Sequence, residues 1–263
     1  MTSEEREHFE RDGFLVRTGV FSSAELDDLR QAVEGVAATV KARARRDGAG
    51  PEARLADGHR IQFSSRAAIQ WEWREGSEEI RLIEPVAHLD PRLEALFADP
   101  RLIQPMQDAL NIDDVGPFTS KLNLKRAAEG SEFPYHQDYP YWYVVVEEHA
   151  GDIATAIVFL DDAGAGNGAL RVLPGSHRHG PAPRDPTDPT RFLADPARLD
   201  RHGEVTVEVP AGSVLLFGSL LVHRSSPNES GADRRALLLS FQPAGRPLFH
   251  ERPFRAELVE QLP

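Results

Sequence analysis

The sequence predicts a mainly β protein with α-helices on its flanks, a sandwich or barrel rather than a parallel α/β sheet. Two observations carry that expectation. Helix signals come first in the chain, and after about Gly116 short β-rich runs bounded by glycine and proline take over. Taken in order, Ser3 to Arg11 reads as a short helix and Phe14 to Arg17 as a strand. Ser22/Ser23 offers a cap for a helix from about Ala24 to Arg45. Gly48 to Pro51 and Asp57-Gly58 interrupt the chain. Asp90-Pro91 and Asp99-Pro100 each set an acidic cap before a proline and so start two further helices. The strands follow as Phe118 to Lys125, Ile153 to Leu160, Ala169 to Leu173, Glu204 to Val209, Ser213 to Phe217 and Arg235 to Phe241. With 263 residues, 40% of them hydrophobic, a single domain over 1–263 can bury a sizeable core. Its helical part spans about 1–113 and its β core about 114–245.

Composition removes several function classes. A formal net charge of -12 gives no broad grip on a phosphate backbone and argues against a nucleic-acid partner. The chain has no cysteine, so disulfides and thiolate metal sites are excluded. The polar start Thr2-Ser3-Glu4-Glu5-Arg6-Glu7 is no signal peptide, and no apolar run approaches the roughly 20 residues that span a bilayer. The expectation is a soluble, cytoplasmic protein acting on a small molecule, with its oligomeric state left open.

The chemistry concentrates in Tyr135-His136-Gln137-Asp138 and in His223, with Arg234 eleven residues beyond that histidine. In an extended strand, side chains two apart share one side, so His136 and Asp138 would enter a cavity together while Gln137 turns away. His223 from a distant strand completes a two-histidine, one-carboxylate set, whose open coordination positions suit non-haem Fe(II) oxygenase chemistry. His88-Leu89-Asp90 has the same spacing, but Asp90 precedes Pro91 and reads as a helix cap. No such helix start is expected after His136 and Asp138.

These residues belong to a wider pattern that resembles the phytanoyl-CoA dioxygenase family of Fe(II)- and 2-oxoglutarate-dependent oxygenases. The matching pieces are Asp12-Gly13-Phe14-Leu15-Val16, His136-Gln137-Asp138, the run from Asn167 to His177, and the segment from His223 to Arg234. The resemblance implies a double-stranded β-helix, a cupin-like jelly-roll core with helices outside. It implies Fe(II) on His136, Asp138 and His223, and 2-oxoglutarate with its far carboxylate on Arg234 and Ser225. With O2 as the other cosubstrate, the implied reaction hydroxylates an unactivated carbon and releases succinate and CO2. Related halogenases carry a small residue in place of the carboxylate, so Asp138 favours hydroxylation over halogenation. The same cofactor chemistry could serve desaturation, epoxidation or cyclisation, and a cupin-like protein could bind a metal or small acid without turnover. Ile157 or a neighbour stands where some members have a tryptophan against the cosubstrate. No basic cluster suits a coenzyme A phosphate, so a free aliphatic or natural-product metabolite is preferred. The resemblance, together with an Ala/Arg/Gly/Pro-rich composition typical of high-GC genomes, suggests a place in bacterial secondary metabolism.

The remaining candidates are weighed by their faces. On the last strand Arg234, Ala236, Leu238 and Ser240 share one side, and Leu237, Leu239 and Phe241 share the other with Arg235. A buried guanidinium at Arg234 needs an anion, and a carboxylate fits its planar fork. The alternative is an internal ion pair with Asp233 or another acid. Lys121 and Asn123 share a strand face and could touch 2-oxoglutarate or substrate, or simply be solvated. Tyr139, Tyr141, Trp142 and Tyr143 could wall a substrate cavity or serve as core. Trp71 and Trp73 could cover the entrance or pack on the barrel. Arg171 could steer an acidic substrate or pair structurally. The Pro/Asp/Arg-rich segment 178–203 could be a lid or a surface excursion.

Overall fold

The computed structural model describes residues 1–46, 52–54, 59–64, 67–73, 76–188, 190–253, 255 and 258. The interruptions expected at Gly48 to Pro51 and Asp57-Gly58 lie outside these residues. Helix α1 (Ser3–Asp12) begins with a capping box between Thr2 and Glu5 and ends at Gly13, whose φ of 82° is left-handed. Strand β1 (Phe14–Arg17) leads to α2 (Ser23–Arg46), which buries Leu26, Leu29, Val33 and Val36 at helical spacing. Four strands follow that the sequence reading did not place: β2 (Glu52–Arg54), β3 (Arg60–Phe63), β4 (Ala68–Trp71) and β5 (Ile80–Glu84). Asp90 and Asp99 cap α3 (Pro91–Glu94) and α4 (Pro100–Leu110), each with proline in the first turn, so the structural reading of Asp90 holds. Helix α3 is one turn long and runs on as 3₁₀ helix.

The β core comprises β6 (Val115–Lys125), β7 (Phe133–His136), then helix α5 (Asp138–Val146), β8 (Ala154–Phe159), β9 (Leu170–Val172) and β10 (Val205–Thr206). It closes with β11 (Val214–Gly218), β12 (His223–Ser225) and β13 (Arg234–Pro243). All pairings are antiparallel. The large sheet runs β1-β11-β8-β13-β6-β5-β4-β3-β2 and the small one β10-β9-β12-β7.

Period-two alternation sorts the large sheet's side chains between two layers. Leu122, Leu124, Leu237, Leu239 and Phe241 join Leu29, Val33 and Leu102 of the helices in the largest core cluster. Ile157, Leu215, Phe217 and Ala236 face the other way and meet Leu170 and Val172 of the small sheet. The expected faces of the last strand are therefore those observed. Arg235, on the helical side, ties the layers by pairing with Asp161 and with Glu34 of α2.

Candidate active site

The inter-sheet space narrows to a site where β7 ends and β12 begins. His223 and His136 are register partners on these adjacent strands, and their rings lie 4.2 Å apart between centroids. Asp138 stands two residues on, and one donor atom from each of the three lies within 4.8 Å of the others. Each imidazole is aimed by its own backbone. Nδ1 of His136 donates to the Pro134 carbonyl at 2.7 Å and Nδ1 of His223 to the Leu221 carbonyl at 2.9 Å, which turns each Nε2 toward the other donors. Burial, and then the neighbouring His223, drives the His136 pKa down to about 3, and burial lowers that of His223. Both rings are therefore neutral near pH 7, the form that binds a metal. Two neutral imidazoles and one carboxylate, His136 half-buried and Asp138 and His223 buried, fit a ferrous ion.

The route by which Asp138 reaches the site differs from the expected one. It does not continue the strand of His136. It is the first residue of α5, with Gln137 as the extended residue between. The run Tyr139-Pro140-Tyr141-Trp142-Tyr143-Val144-Val145-Val146 has strand propensity, but tertiary packing overrides it. Trp142 is fully buried, edge-on to Phe118 at 5.5 Å, and Val144 joins the same cluster. Pro140 falls in the first turn, where its missing N–H costs nothing.

One end of the cavity is cationic. Arg234 is 4% exposed, donates to the Gly168 carbonyl at 2.7 Å, and has no partner for Nε among the described residues. Burial lowers its pKa to about 10, against a weak pull from Asp161. The ion pair considered with Asp233 is not formed, since that carboxylate holds Arg126. Lys125, the register partner of Arg234, is also buried and donates to the Ser131 and Ser226 carbonyls. Burial, and then repulsion from Arg234, pushes its pKa down to about 6. Ser225 is buried one residue before Ser226, on the same side of β12 as His223. Asn123, two residues from Lys125, is half-buried, with a buried Oδ1 that accepts no hydrogen bond among the described residues. A buried guanidinium short of counter-charge, with the Lys125 amine beside it, is a strong attractor for a carboxylate.

Gly168 holds this end together. Its φ is +82°, and a Cβ there would stand 2.6 Å from Cδ of Lys125 and 2.7 Å from the Ser226 carbonyl. Gly168→Ala is expected to lower stability by about 1–3 kcal/mol and to raise the KM for 2-oxoglutarate by displacing the carbonyl that holds Arg234. Thermal unfolding and steady-state kinetics check the two effects.

Toward the other end, Lys121 sits 3.7 Å from Asp138 and 4.0 Å from Glu84, with its ammonium 5.0 Å from the Tyr141 ring centroid. Burial disfavours that ammonium, but Glu84 and Asp138 outweigh it and hold its pKa above the ordinary value. Tyr141 turns its hydroxyl to Glu84. Tyr139 and Tyr143 contact each other, half-buried, and Tyr139 donates its backbone N–H to Ser219.

Three other candidates are not brought to the triad. Trp71 is 4% exposed within the helical-side core, because its position on β4 faces α2 and not the cavity. Trp73 stands on the surface, 56% exposed. Arg171 alternates with the inward Val172, so it points outward and pairs with Glu204 alongside Arg224. Burial opposes ionisation of Glu204, but hydrogen bonds from Arg224, Tyr135 and Arg171 win and hold its carboxyl at about 2. That stabilisation is present above the unfolded carboxyl pKa near 4.5 and is lost as pH falls through about 2. Glu204→Gln is expected to cost roughly 2 kcal/mol at pH 7 and to flatten the acid-side slope, as denaturant titrations at pH 7 and pH 3 would reveal.

Segment 178–203, described except for Pro189, lies against the site. Leu193 bridges to His136, the Ala194 N–H reaches the Tyr135 carbonyl, and the Phe192 ring meets Tyr141 edge-on at 5.7 Å. Gln137 anchors its start. Between the two candidate ligands, its side chain donates to the Gly180 and Leu220 carbonyls and accepts from the Ala182 N–H.

Comparison with known proteins agrees with this geometry. The family model described as phytanoyl-CoA dioxygenase matches residues 9–236. The chain belongs to the phytanoyl-CoA dioxygenase family. It is 26% identical to L-proline trans-4-hydroxylase of Streptomyces griseoviridis, over 88% of this chain and 82% of that protein. It is 30% identical to ectoine dioxygenase of Bordetella parapertussis, over 88% and 71% of the two chains. The solved structure of EctD from S. alaskensis with 2-oxoglutarate and 5-hydroxyectoine superposes with a TM-score of 0.68 at 26% identity, covering 92% of this chain and 76% of that one. As a member of this family the protein has the double-stranded β-helix architecture and is an Fe(II)- and 2-oxoglutarate-dependent dioxygenase of the hydroxylase type.

Three residues at the site went unread in the sequence. Lys125 continues the Lys121/Asn123 alternation and was legible from it. Glu84 was not, because only the pairing of β5 with β6 brings it beside Lys121. Gln137 was expected to face away, and its backbone-anchoring role has no sequence signature.

Proposed function

We propose that His136 and His223 through Nε2, and Asp138 through its carboxylate, hold Fe(II) in this family member, and that Arg234 with Ser225 seats the distal carboxylate of 2-oxoglutarate. The observation that carries the reading is the convergence of three donor atoms within 4.8 Å, drawn from β7, α5 and β12. Bound iron supplies the oxidising chemistry; the chain supplies geometry and a dry, charged cavity. Arg234 fixes the diacid's far end, with Lys125 beside it, so that the 2-oxo acid end is directed along β6 past Asn123 toward the triad. Lys121 contributes positive charge next to Asp138, where carboxylates gather. Ile157 and Phe217, between the sheets, keep water from the histidines, and the Phe217 ring lies 5.0 Å from that of His223.

The substrate in this reading is a free small metabolite, hydroxylated at an unactivated carbon. The relatives named for L-proline and ectoine act on molecules of that size, and the Tyr141 and Phe192 rings, in contact with each other, put aromatic surface at the Lys121 end of the site. Ferrous iron and 2-oxoglutarate are held inside cells, which fits a cytoplasmic role, and the high-GC-type composition fits secondary metabolism. Incubation with Fe(II), ascorbate, 2-oxoglutarate and a metabolite panel tests the reading. The expected result is iron-dependent succinate matched by a product heavier by one oxygen. A product lighter by two hydrogens would replace hydroxylation by desaturation, and succinate formation indifferent to iron would overturn the assignment.

A further inference from the structure

Charge is graded along the inner face of the large sheet. Leu122 and Leu124 of β6 join the helical-side core, so Thr119, Lys121, Asn123 and Lys125 face the inter-sheet cavity. Lys125 lies at the Arg234 end and Lys121 beside Asp138, a separation of about 13 Å along the strand. Thr119 is a further step beyond, and there Glu84 is buried with no part in holding iron or the diacid.

The surroundings of Glu84 are those of a counter-ion awaiting a partner. Thr119 donates its hydroxyl to the carboxylate at 3.0 Å, the Tyr141 hydroxyl is at 3.4 Å, and the Lys121 ammonium is no closer than 4.0 Å. That ammonium is nearer Asp138, at 3.7 Å, so one cation faces two carboxylates. A carboxylate offers about four acceptor sites, and beyond the Thr119 and Tyr141 hydroxyls those on Glu84 have no hydrogen-bonded donor among the described residues. Burial raises its pKa despite Lys121 and Thr119, as expected for an under-compensated charge. The Tyr141 ring, flanked by Phe192 at 5.7 Å and Phe249 at 5.3 Å, adds aromatic surface beside the carboxylate. Negative oxygen and π-faces together select a cation.

We propose that this end of the cavity recognises a positively charged nitrogen of the substrate, with Glu84 as its counter-ion, so that the substrate is a small amine or zwitterion. The proposal rests on the iron placement above, which puts Glu84 on the side of the metal away from the diacid anchor. A Glu84 that only stabilised the fold would be closed by a hydrogen-bonded ion pair, and Lys121 does not form one.

The test uses the full chain loaded with Mn(II) and 2-oxoglutarate, which cannot turn over. Thermal shift and calorimetry follow a panel of small amines and zwitterions, L-proline among them, each paired with the carbon analogue that lacks the nitrogen. The expected result is binding confined to nitrogen-bearing probes and weakened about 30-fold or more in Glu84→Gln, with Mn(II)-dependent 2-oxoglutarate affinity unchanged. Equal binding of the carbon analogues, binding of no nitrogenous probe, or unaltered affinity in Glu84→Gln would overturn the proposal. The analogue comparison in the wild type decides the matter even if the variant folds poorly. Failure of the wild type to bind 2-oxoglutarate with Mn(II) would overturn the iron-site reading and this pocket with it, and is distinguished because 2-oxoglutarate binding is measured first.

Discussion

His136→Ala, Asp138→Ala and His223→Ala are each expected to abolish iron-dependent succinate release. The loss of metal affinity should exceed the roughly 10- to 100-fold that follows removal of an outer partner of a metal ligand. The reason is geometric. Each donor comes from a different element, and two remaining donors leave a chelate without its third facial position. Far-UV circular dichroism should change little, because each side chain projects into the cavity and its removal leaves the backbone pairing of β7 with β12 in place. Equilibrium dialysis with Fe(II) under anaerobic conditions, set beside succinate release, separates loss of metal from loss of fold. A variant that keeps both metal and turnover would remove its residue from the proposed set.

Arg234→Leu is expected to give two effects of opposite sign. The KM for 2-oxoglutarate should rise by a factor corresponding to about 2–5 kcal/mol, the cost of deleting one partner of a buried charge pair. Stability of the cosubstrate-free protein should stay level or rise, because a buried guanidinium that lacks an anion is itself costly. Arg234→Lys restores charge without the planar fork, so it should recover only part of the affinity. Kinetics with varied 2-oxoglutarate and chemical denaturation give the two readings. A stabilising role alone predicts the reverse, with weaker folding and an unchanged KM.

The metal and anion candidates were legible because their chemistry is rare and their spacing specific: His136, Asp138, His223 and Arg234 have few other reasons to recur in that order. The strands of the β core were legible from alternation, and β13 carried it well enough to predict which of its residues meet the helices. What failed had physical causes. Residues 138–146 are aromatic and β-branched, yet form a helix because Trp142 and Val144 gain more from burial beside Phe118 than they lose in propensity. Strands β2 to β5 are only three to five residues long, too short for alternation to declare itself, even though β2 to β5 pair in sequence order. Trp71 and Arg171 were candidates by residue type, and register alone turned them away from the cavity, one toward α2 and the other toward Glu204. Glu84 became visible only through a neighbour on the next strand.

The central claim is that three separated donors form one ferrous site able to accept a 2-oxo acid. Anaerobic titration of the wild-type chain with Fe(II) and 2-oxoglutarate, followed by the visible absorption that a 2-oxo acid acquires on chelating Fe(II), tests it most directly. The account predicts a band that saturates at one equivalent per chain and is missing from all three alanine variants. A wild-type chain without the band, or a variant retaining it at full strength, would contradict the account.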